Sequence, residues 1–382
     1  MKKTLNSVIV GVGYIGKQHI EAIRRIPNTH ILAVVEPDIE KAKKSAETFG
    51  IEHYYSDLDQ ALTLEGIDVV HICTPNYLHY PMAKKVMEKG INVFCEKPLS
   101  LTAAQAIELA ELSKKHHVSS AVNHNYRANV MVREMKHRIE SGAIGKPLMI
   151  FGQYVQDWLM FEDDYDWHFD PELVGPSRSI ADIGTHLFDL IQFTLGQKIT
   201  KLFAELVVAY PTRKKYEIVG ETFSNLKAGN FEEVKVENED GAFIIAELED
   251  GTKVNMVISQ VTGGFKNGLE LTVSGSKHSV TWKQEEADRL EIGKREAGNE
   301  MIYADAKYID KSLERFISLP NGHAVGWADA FKNSIAEFYR DLHANGENQE
   351  KSYVDFQEGA YLMKLVETAL QSNQEKRWIN VI

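Results

Sequence analysis

The chain has 382 residues, of which 43% are hydrophobic and 26% charged, and its formal net charge is −12. This length suits two domains, and the apolar content suffices for a sizeable core, which excludes a wholly disordered chain. Lys and Arg are scattered through an acidic chain that repels phosphate backbones, so we expect no nucleic acid partner. No run of eighteen or more apolar residues occurs, so we expect no membrane span.

The first third of the sequence alternates between apolar strand-like runs and amphipathic helix-like segments. This pattern predicts βαβ units and a parallel, doubly wound sheet. The predicted strands are Ser7–Gly13, His30–Pro37, Val69–Pro75, Asn92–Glu96 and Val118–Asn123, and the predicted helices are Tyr14–Ile26, Ile39–Phe49, Pro81–Lys89 and Ala103–His116.

The middle and rear of the chain show a different pattern. The run from Thr200 to Ile292 consists mostly of strands and turns, which indicates a largely antiparallel sheet, and the polar segment Tyr210–Glu239 is predicted to form loops. The other predicted elements are the strand Leu148–Gln156 and the helices Val130–Ser141, His186–Thr194, Ala328–His343 and Phe356–Gln371. We therefore predict an α/β protein with a doubly wound Rossmann domain at residues 1–125 and an α/β domain with a large open sheet at residues 126–382. Packing of the C-terminal helices back on the first domain stays open.

Two features of the sequence bear on the cellular compartment. The start Met1-Lys2-Lys3 and the apolar stretch after it resemble a signal peptide, but that stretch contains three glycines and no small-residue cleavage site. The two cysteines, Cys73 and Cys95, fall in predicted buried strands, which excludes a disulfide framework and makes a poor zinc site. We expect a cytoplasmic protein without a bound metal.

The segment Gly11-Val12-Gly13-Tyr14-Ile15-Gly16 matches the pattern G-x-G-x-x-G between a predicted strand and a predicted helix. In that context the glycines permit a tight turn, close approach of a pyrophosphate and packing of helix against strand. The free amide groups of the helix N-terminus attract the anion. The segment predicts a dinucleotide site at Gly11, Gly13, Tyr14, Ile15 and Gly16.

Glu36 ends the second predicted strand, twenty residues after Gly16. A carboxylate at this place accepts hydrogen bonds from the ribose hydroxyls and repels a 2′-phosphate. Because no arginine follows, we predict NAD rather than NADP as the cofactor.

Two further loops follow predicted strands, whose carboxyl ends line the ligand cleft of an open α/β sheet. In the loop Thr74-Pro75-Asn76-Tyr77-Leu78-His79, Thr74, Pro75, Asn76 and His79 are cofactor candidates, and Asn76 and His79 alternatively cap the next helix. In Glu96-Lys97-Pro98, Glu96 and Lys97 are placed beside the cofactor, where Lys97 is suited to bind a substrate hydroxyl and stabilise alkoxide charge. The proline permits a cis peptide bond.

The second chemical cluster is Asp182-Ile183-Gly184-Thr185-His186. The residues before it look extended and Thr185 is a plausible N-cap, which would place Asp182 and His186 together at a helix mouth. The helix N-terminus would keep His186 neutral and able to accept a proton, as alcohol oxidation requires. The alternative is a buried capping histidine with a structural aspartate.

These motifs, in this order, resemble the Gfo/Idh/MocA oxidoreductase family, named for glucose–fructose oxidoreductase, inositol dehydrogenase and a rhizopine-catabolism protein. The resemblance extends over nearly the whole chain. It implies a Rossmann domain followed by an α/β domain whose open sheet mediates dimers or tetramers. It also assigns the catalytic lysine to Lys97, the active-site Asp and His to Asp182 and His186, and a substrate-side arginine to Arg127.

Other segments bear on the substrate. The run Tyr154-Val155-Gln156-Asp157-Trp158-Leu159 looks like a subset of the family that acts on glycosides and anhydrosugars such as levoglucosan. Gln156 and Asp157 are then candidates for binding vicinal hydroxyls, and Trp158 or Trp167 for stacking on a sugar ring. His323 lies in a segment that resembles a family loop, Asn321-Gly322-His323-Ala324-Val325-Gly326-Trp327. Where many members have a glycine run, this chain has Arg178, which is expected to alter the pocket.

The sequence therefore predicts an NAD(H)-dependent dehydrogenase that oxidises a secondary alcohol of a sugar, glycoside or anhydrosugar. His186 is the predicted general base, oriented by Asp182, and Lys97 is the alternative proton acceptor. Three other functions stay open: an inositol or cyclitol dehydrogenase, a glycosidase that uses NAD transiently, and a non-catalytic NAD-binding regulator.

Overall fold

The computed structural model describes residues 3–219, 227–320, 322–344 and 351–382. The chain divides into two compact units. The first contains Met1–Ala128 and Trp327–Met363, and the second contains Asn129–Gly326 and Lys364–Ile382. The rear helix α9 therefore belongs to the first unit, and α10 begins in the first unit and ends in the second.

The secondary structure of the described residues follows in chain order. The helices are α1 (Tyr14–Arg24), α2 (Ile39–Phe49), α3 (Leu58–Ala61), α4 (His79–Glu88), α5 (Ala103–Lys115), α6 (Val130–Glu140), α7 (Pro171–Val174), α8 (Thr185–Leu195), α9 (Trp327–His343) and α10 (Phe356–Glu375). The strands are β1 (Leu5–Val10), β2 (Thr29–Val35), β3 (His53–Tyr55), β4 (Val69–Ile72), β5 (Asn92–Cys95), β6 (Ser120–Val122), β7 (Pro147–Val155), β8 (Ile199–Val207), β9 (Thr212–Val219), β10 (Lys227–Lys235), β11 (Gly241–Leu248), β12 (Lys253–Ser259), β13 (Gly268–Gly275), β14 (His278–Lys283), β15 (Arg289–Lys294), β16 (Glu300–Tyr303) and β17 (Ile379–Asn380).

The first unit is built on a six-stranded sheet in the order β3-β2-β1-β4-β5-β6, and all of its strand pairs are parallel. This is the doubly wound arrangement that the sequence predicts, and the strand order reverses between β1 and β4, the usual place for a ligand. The short strand β3 and the one-turn helix α3 are not in the prediction, because three residues are too few for a clear alternation.

The core of the first unit joins β-sheet residues to the helices on its faces. Ile9 of β1, Ile20 of α1 and Phe338 of α9 are fully buried in one cluster. Each such side chain contributes about 1.5–3 kcal/mol relative to an exposed one. The amphipathic pattern of α9 is therefore explained by its packing against α1 and the sheet of the same unit.

The second unit contains a nine-stranded sheet in the order β16-β15-β14-β13-β7-β12-β11-β8-β17. Among its described strands only β7 and β12 pair in parallel, so the prediction of a large, mostly antiparallel sheet is confirmed. Helices α6 and α8 pack on one face, and α8 is buried along most of its length. The turn around Gly251, which has φ +86°, joins β11 to β12 as predicted.

The prediction of loops over Tyr210–Glu239 is wrong for the part that the structure describes, and residues 220–226 lie outside the described residues. Strands β9 and β10 form a separate antiparallel pair in which Lys215 lies opposite Glu232, with 3.2 Å between Nζ and Oε1. Cross-strand charge pairs of this kind, together with the ring contact between Tyr216 and Phe231, stabilise the ribbon. Because charged residues lie on both faces of these strands, the sequence lacks the alternation by which strands are recognised.

None of the helices within the described ranges is long and apolar enough to cross a bilayer.

Candidate cofactor site and candidate catalytic residues

The glycine loop after β1 requires glycine at two positions because backbone atoms crowd it. Gly11 has φ +88°, and a Cβ atom there would lie 2.6 Å from the carbonyl oxygen of Cys73. A Cβ atom on Gly16 would lie 1.9 Å from the carbonyl oxygen of Gly11. Both distances are shorter than any van der Waals contact, so these glycines let the loop, α1 and the end of β4 pack together.

Gly13 differs, because a Cβ atom there would meet no other atom within 4 Å. It stands at the N-cap of α1 and provides no side-chain cap for the helix. Tyr14 at the start of the helix is exposed, and Ile15 packs against the core. Open space in front of an uncapped helix N-terminus fits the pyrophosphate of a dinucleotide.

Glu36 lies next to the glycine loop, just after β2. Its Oε2 accepts a hydrogen bond from the backbone N–H of Val12 at 3.1 Å, and its Oε1 lies 3.6 Å from Nζ of Lys41. The carboxylate is therefore fixed beside the loop, at the place where the sequence puts the ribose.

The loop after β4 contains Thr74, Pro75 and Asn76, and a 3-10 turn begins at Asn76. His79, the first residue of α4, is buried, and its two ring nitrogens lie 2.7 Å from the carbonyl oxygen of Pro98 and 2.8 Å from that of Thr74. Burial lowers the pKa of His79, although both hydrogen bonds to carbonyls oppose that shift. Its ring thus connects the Thr74 loop to the Lys97 loop.

Glu96 turns its carboxylate into the interior of the first unit. Oε1 accepts hydrogen bonds from Nε2 of His19 at 2.8 Å and from Nδ2 of Asn123 at 2.6 Å, and Oε2 accepts one from the backbone N–H of Lys97 at 3.3 Å. Burial tends to raise the pKa of Glu96, but the hydrogen bond and electrostatic interaction with His19, the hydrogen bond from Asn123 and the charge of Lys97 lower it overall. A buried, ionised carboxylate therefore lies directly behind Lys97.

A chain of buried polar groups that the sequence analysis missed continues from Glu96. Nδ1 of His19 lies 2.9 Å from Nδ1 of His71, and Nε2 of His71 lies 2.8 Å from the hydroxyl of Tyr339. Burial, and then the neighbouring His19, keep the pKa of His71 well below its ordinary value. The signal in the sequence was a histidine inside the otherwise apolar strand Val69–Ile72.

Lys97 follows β5 and is partly exposed, and the Lys97–Pro98 peptide bond is cis, as the sequence permits. Two basic residues of the first unit are buried near it. Burial, followed by the charges of Arg127 and Lys97, lowers the pKa of His124 to about 3. Arg127 donates from Nη1 to Oε2 of Glu358 at 2.9 Å, so this predicted substrate contact has an internal ion-pair partner.

Asp182 and His186 belong to the second unit, and the predicted helix mouth at Thr185 is wrong. Residues Ile180–Gly184 form a π-helical turn that continues into α8, and Thr185 donates from Oγ1 to the carbonyl oxygen of Ala181 at 3.0 Å. His186 is thus beyond the first turn, where the helix dipole has little effect. The His186 side chain is buried in the second unit.

The helical run is capped earlier than predicted, by an acidic side chain from another segment. Oε1 of Glu239 accepts hydrogen bonds from Oγ of Ser177 at 2.7 Å and from the backbone N–H groups of Arg178 at 3.1 Å and Ile180 at 2.9 Å. This cap is distant in sequence, which is why the local pattern gave an extended segment. π-Helical turns of this kind are rare and often occur at functional sites.

The residues predicted to bind sugar hydroxyls lie at the end of β7. Asn267 accepts hydrogen bonds from the hydroxyl of Tyr154 at 2.6 Å and from Nε2 of Gln156 at 3.3 Å, and Trp158 donates from Nε1 to Oε1 of Gln156 at 3.1 Å. The rings of Tyr154 and His186 meet edge to face, with 6.2 Å between centroids. The structure therefore brings Gln156 and Trp158 into one polar and aromatic group that extends to His186.

The remaining predicted residues of the second unit have other surroundings. Asp157 pairs with Lys266, whose hydrogen bond lowers the pKa of the carboxyl group. Trp167 lies against the His168 ring at 3.8 Å between centroids. His323 is exposed, with Nδ1 at 3.1 Å from the carbonyl oxygen of Pro320. Arg178 is fully buried.

No group of three or more His, Cys, Asp or Glu side chains arranged for a metal ion occurs in the described ranges.

Comparison with known proteins matches two family models to this chain. Residues 5–124 match a model described as an oxidoreductase family, NAD-binding Rossmann fold, and residues 136–381 match the C-terminal alpha/beta domain of the same family. A levoglucosan dehydrogenase from Pseudarthrobacter phenanthrenivorans is 25% identical over 395 residues, covering 99% of this chain and 98% of the relative. An inositol 2-dehydrogenase from Corynebacterium glutamicum is 28% identical over 209 residues, covering 53% of this chain and 57% of the relative.

Solved structures share the fold. A levoglucosan dehydrogenase in complex with NADH and L-sorbose superposes with a TM-score of 0.88 at 23% identity, covering 100% of this chain and 99% of that one.

Proposed function

Because the chain belongs to the Gfo/Idh/MocA oxidoreductase family, with its NAD-binding Rossmann fold, we propose that it oxidises a secondary alcohol of a sugar, glycoside or anhydrosugar to a ketone. One observation carries the proposal. The glycine loop after β1 and Lys97 after β5 lie at the same carboxyl edge of one parallel sheet, where such sheets bind their ligands. The ammonium group of Lys97, which is suited to bind a reacting oxygen, thus lies at the same edge of the sheet as the candidate nucleotide site.

In this proposal the bound NAD+ supplies the acceptor for the hydride that leaves the alcohol carbon. The glycine loop holds the pyrophosphate and Glu36 the ribose. Lys97 donates a hydrogen bond to the alcohol oxygen and stabilises the negative charge that develops there. His186 takes the hydroxyl proton, with Asp182 as its orienting partner, and relay of the proton through Lys97 is the alternative.

The proposed substrate class is supported by the group at the end of β7. Trp158 offers an aromatic face of the kind on which sugar rings pack, and Gln156, Asp157 and Asn267 provide hydrogen-bonding groups around it. The near full-length similarity to a levoglucosan dehydrogenase favours an anhydrosugar or glycoside. A cyclitol is the second candidate, because the inositol 2-dehydrogenase relative is slightly more identical over a shorter span.

The test is a panel of sugars, glycosides, anhydrosugars and inositols, followed by the absorbance of NADH with NAD+ and NADP+ side by side. We expect turnover with NAD+ and a sugar or anhydrosugar. Turnover of inositols alone would replace the proposed substrate class by the second candidate. Tight NAD+ binding without turnover of any panel member would contradict the dehydrogenase proposal.

We also propose that the protein is a homo-oligomer of the cytoplasm, in which a second copy covers the outer face of the nine-stranded sheet. Phe151, Phe243 and Ile245 are between 43% and 58% exposed on that face, where patches of this kind mark interfaces. The two cysteines are free and buried, which suits a reducing compartment. Light scattering tests the oligomer: the wild type should exceed 43.2 kDa, and Phe243→Glu should lower the mass.

A further inference from the structure

Asp182 is held by a buried amide that sequence reasoning did not identify. Nε2 of Gln260 donates to Oδ2 of Asp182 at 2.8 Å, and Oε1 of Gln260 accepts from Nη1 of Arg178 at 2.6 Å. Gln260 is fully buried at the end of β12, and Arg178 is exposed by only 1%. The candidate active-site carboxylate is thus two hydrogen bonds away from a buried guanidinium.

The direction of these hydrogen bonds is fixed by the chemistry of arginine. A guanidinium has donors and no acceptor, so it can bind only the oxygen of the Gln260 amide. The amide must then turn its NH2 group toward Asp182. Gln260 therefore presents a donor, and never an acceptor, to Oδ2 of the carboxylate.

Arg178 is itself held from two sides. Its Nη2 donates to Oδ1 of Asp240, which also accepts from Nη2 of Arg213 at 2.8 Å. The guanidinium carbon of Arg178 lies 4.2 Å from the centre of the Phe169 ring. A planar guanidinium fixed by a carboxylate and an aromatic face has little freedom to rotate. Because Arg178 is held in place, its hydrogen bond prevents the Gln260 amide from rotating.

We propose that Gln260 is a positioning residue for Asp182, with its amide oriented by Arg178 and Asp240. This inference rests on the proposed function, because it concerns the oxygen through which Asp182 serves the dehydrogenase reaction. By engaging Oδ2, Gln260 fixes the plane of the carboxylate and favours its ionised form. Oδ1 is then the oxygen assigned to orient His186, four residues further along the helical run. Arg178 thus acts on the active site from the interior instead of lining a pocket.

Two variants separate positioning from packing. Gln260→Glu keeps the side-chain shape and the acceptor for Arg178 but replaces the donor to Asp182 by a like charge. Gln260→Met removes both polar atoms at similar volume. We expect kcat to fall on the order of ten- to hundredfold in both variants, with the KM for NAD+ unchanged. Gln197→Glu makes the same chemical change in a turn of the same unit, outside the cluster, and should keep wild-type kcat.

The pH dependence gives a signature that a packing defect would not produce. The charged groups around position 260 are Arg178 and Asp182 from the helical segment, Glu239 and Asp240 before β11, and Arg213 from β9. In Gln260→Glu the introduced carboxyl group regains a donor when it is protonated. Its kcat deficit relative to the wild type should therefore shrink from about pH 8 to about pH 5, whereas that of Gln260→Met should stay constant. Parallel deficits in the two variants would overturn the proposal.

An activity-independent measurement keeps the inference separate from the proposed function. Crystal structures of the wild type and Gln260→Met should show the Asp182 carboxylate rotated in the variant. An Asp182 carboxylate in the same orientation would overturn the positioning role, even if the wild type oxidises none of the panel. A rotated carboxylate with unchanged kcat in an active enzyme would also overturn it, because the orientation would then have no effect on the reaction.

Discussion

Nε2 of His19 lies 2.8 Å from Oε1 of Glu96, and both side chains are buried in the first unit. The contacts continue from Nδ1 of His19 to Nδ1 of His71 at 2.9 Å and from Nε2 of His71 to the hydroxyl of Tyr339 at 2.8 Å. Each ring nitrogen of the two histidines thus has a polar partner. The carboxylate behind Lys97 therefore ends a row of buried, hydrogen-bonded groups.

Removal of the His19 side chain should lower the free energy of unfolding more than removal of the Tyr339 hydroxyl. His19→Leu leaves an ionised carboxylate with one donor fewer in the core and should lower the free energy of unfolding by about 3 kcal/mol. Tyr339→Phe removes one neutral hydroxyl and should cost about 1 kcal/mol. Urea unfolding measures both, and the double variant His19→Leu/Glu96→Gln should recover part of the loss. Equal losses of unfolding free energy in His19→Leu and Tyr339→Phe would contradict this expectation.

Two glycines of the loop after β1 are expected to have different roles, Gly16 in the stability of the fold and Gly13 in the binding of NADH. Gly16→Ala places Cβ against the carbonyl oxygen of Gly11 and should destabilise the fold by about 3 kcal/mol or more. Gly13→Ala places Cβ in open space, so the Tm should stay near that of the wild type. The same methyl group occupies the space assigned to the pyrophosphate, and the Kd for NADH should rise about tenfold or more. Unchanged NADH binding in Gly13→Ala would place the pyrophosphate elsewhere.

The carboxylate of Glu36 is expected to set the preference for NAD+ over NADP+. Glu36→Gln removes the negative charge that repels a 2′-phosphate and leaves Lys41 in place, 3.6 Å from the original oxygen. The ratio of kcat/KM for NAD+ to that for NADP+ should fall about tenfold or more. Glu40→Gln, an exposed change at the start of α2, is the matched control. A ratio that stays constant in Glu36→Gln would assign cofactor choice to other residues.

His124 is expected to contribute to acid destabilisation. Its pKa of about 3 in the folded chain, set chiefly by burial, is lower than the value of about 6.5 expected after unfolding. Below about pH 6.5 the unfolded chain therefore binds the extra proton, and the folded chain loses stability as the pH falls toward about 3. Between about pH 6.5 and pH 5 this loss amounts to about 2 kcal/mol.

His124→Gln should flatten the stability profile by that amount, as measured by urea unfolding across this pH range. His30→Gln replaces an exposed histidine of the same unit and should leave the profile unchanged. A profile of His124→Gln that stays parallel to that of the wild type would show that His124 does not stay neutral in the fold.

Much of the fold is readable from the sequence because its signals are local. Helix α2 begins at Ile39 and ends at Phe49 as predicted, since Asp38 accepts hydrogen bonds from Glu40 and Lys41 at one end and Gly50 adopts a left-handed conformation at the other. The glycine motif and the strand order follow from equally local patterns. Prediction fails where the deciding partner is distant in sequence.

The candidate sites show the same limit. The cap of the helical run before His186 comes from Glu239, and the partner of Asp182 is Gln260, each more than fifty residues away. No spacing rule relates such residues, so the sequence predicted an extended segment and a local N-cap. Likewise His71 reads as one polar residue in an apolar strand until Tyr339 of α9 is placed beside it.

The most direct test of the proposed dehydrogenase is the stoichiometry of a single turnover with the best substrate of the panel. With enzyme and NAD+ in excess, we predict one NADH and one ketone for each substrate molecule consumed. Lys97→Met and His186→Ala should bind NAD+ normally and lower the rate by orders of magnitude. Substrate consumption without net NADH, or near-normal rates in both variants, would contradict the account.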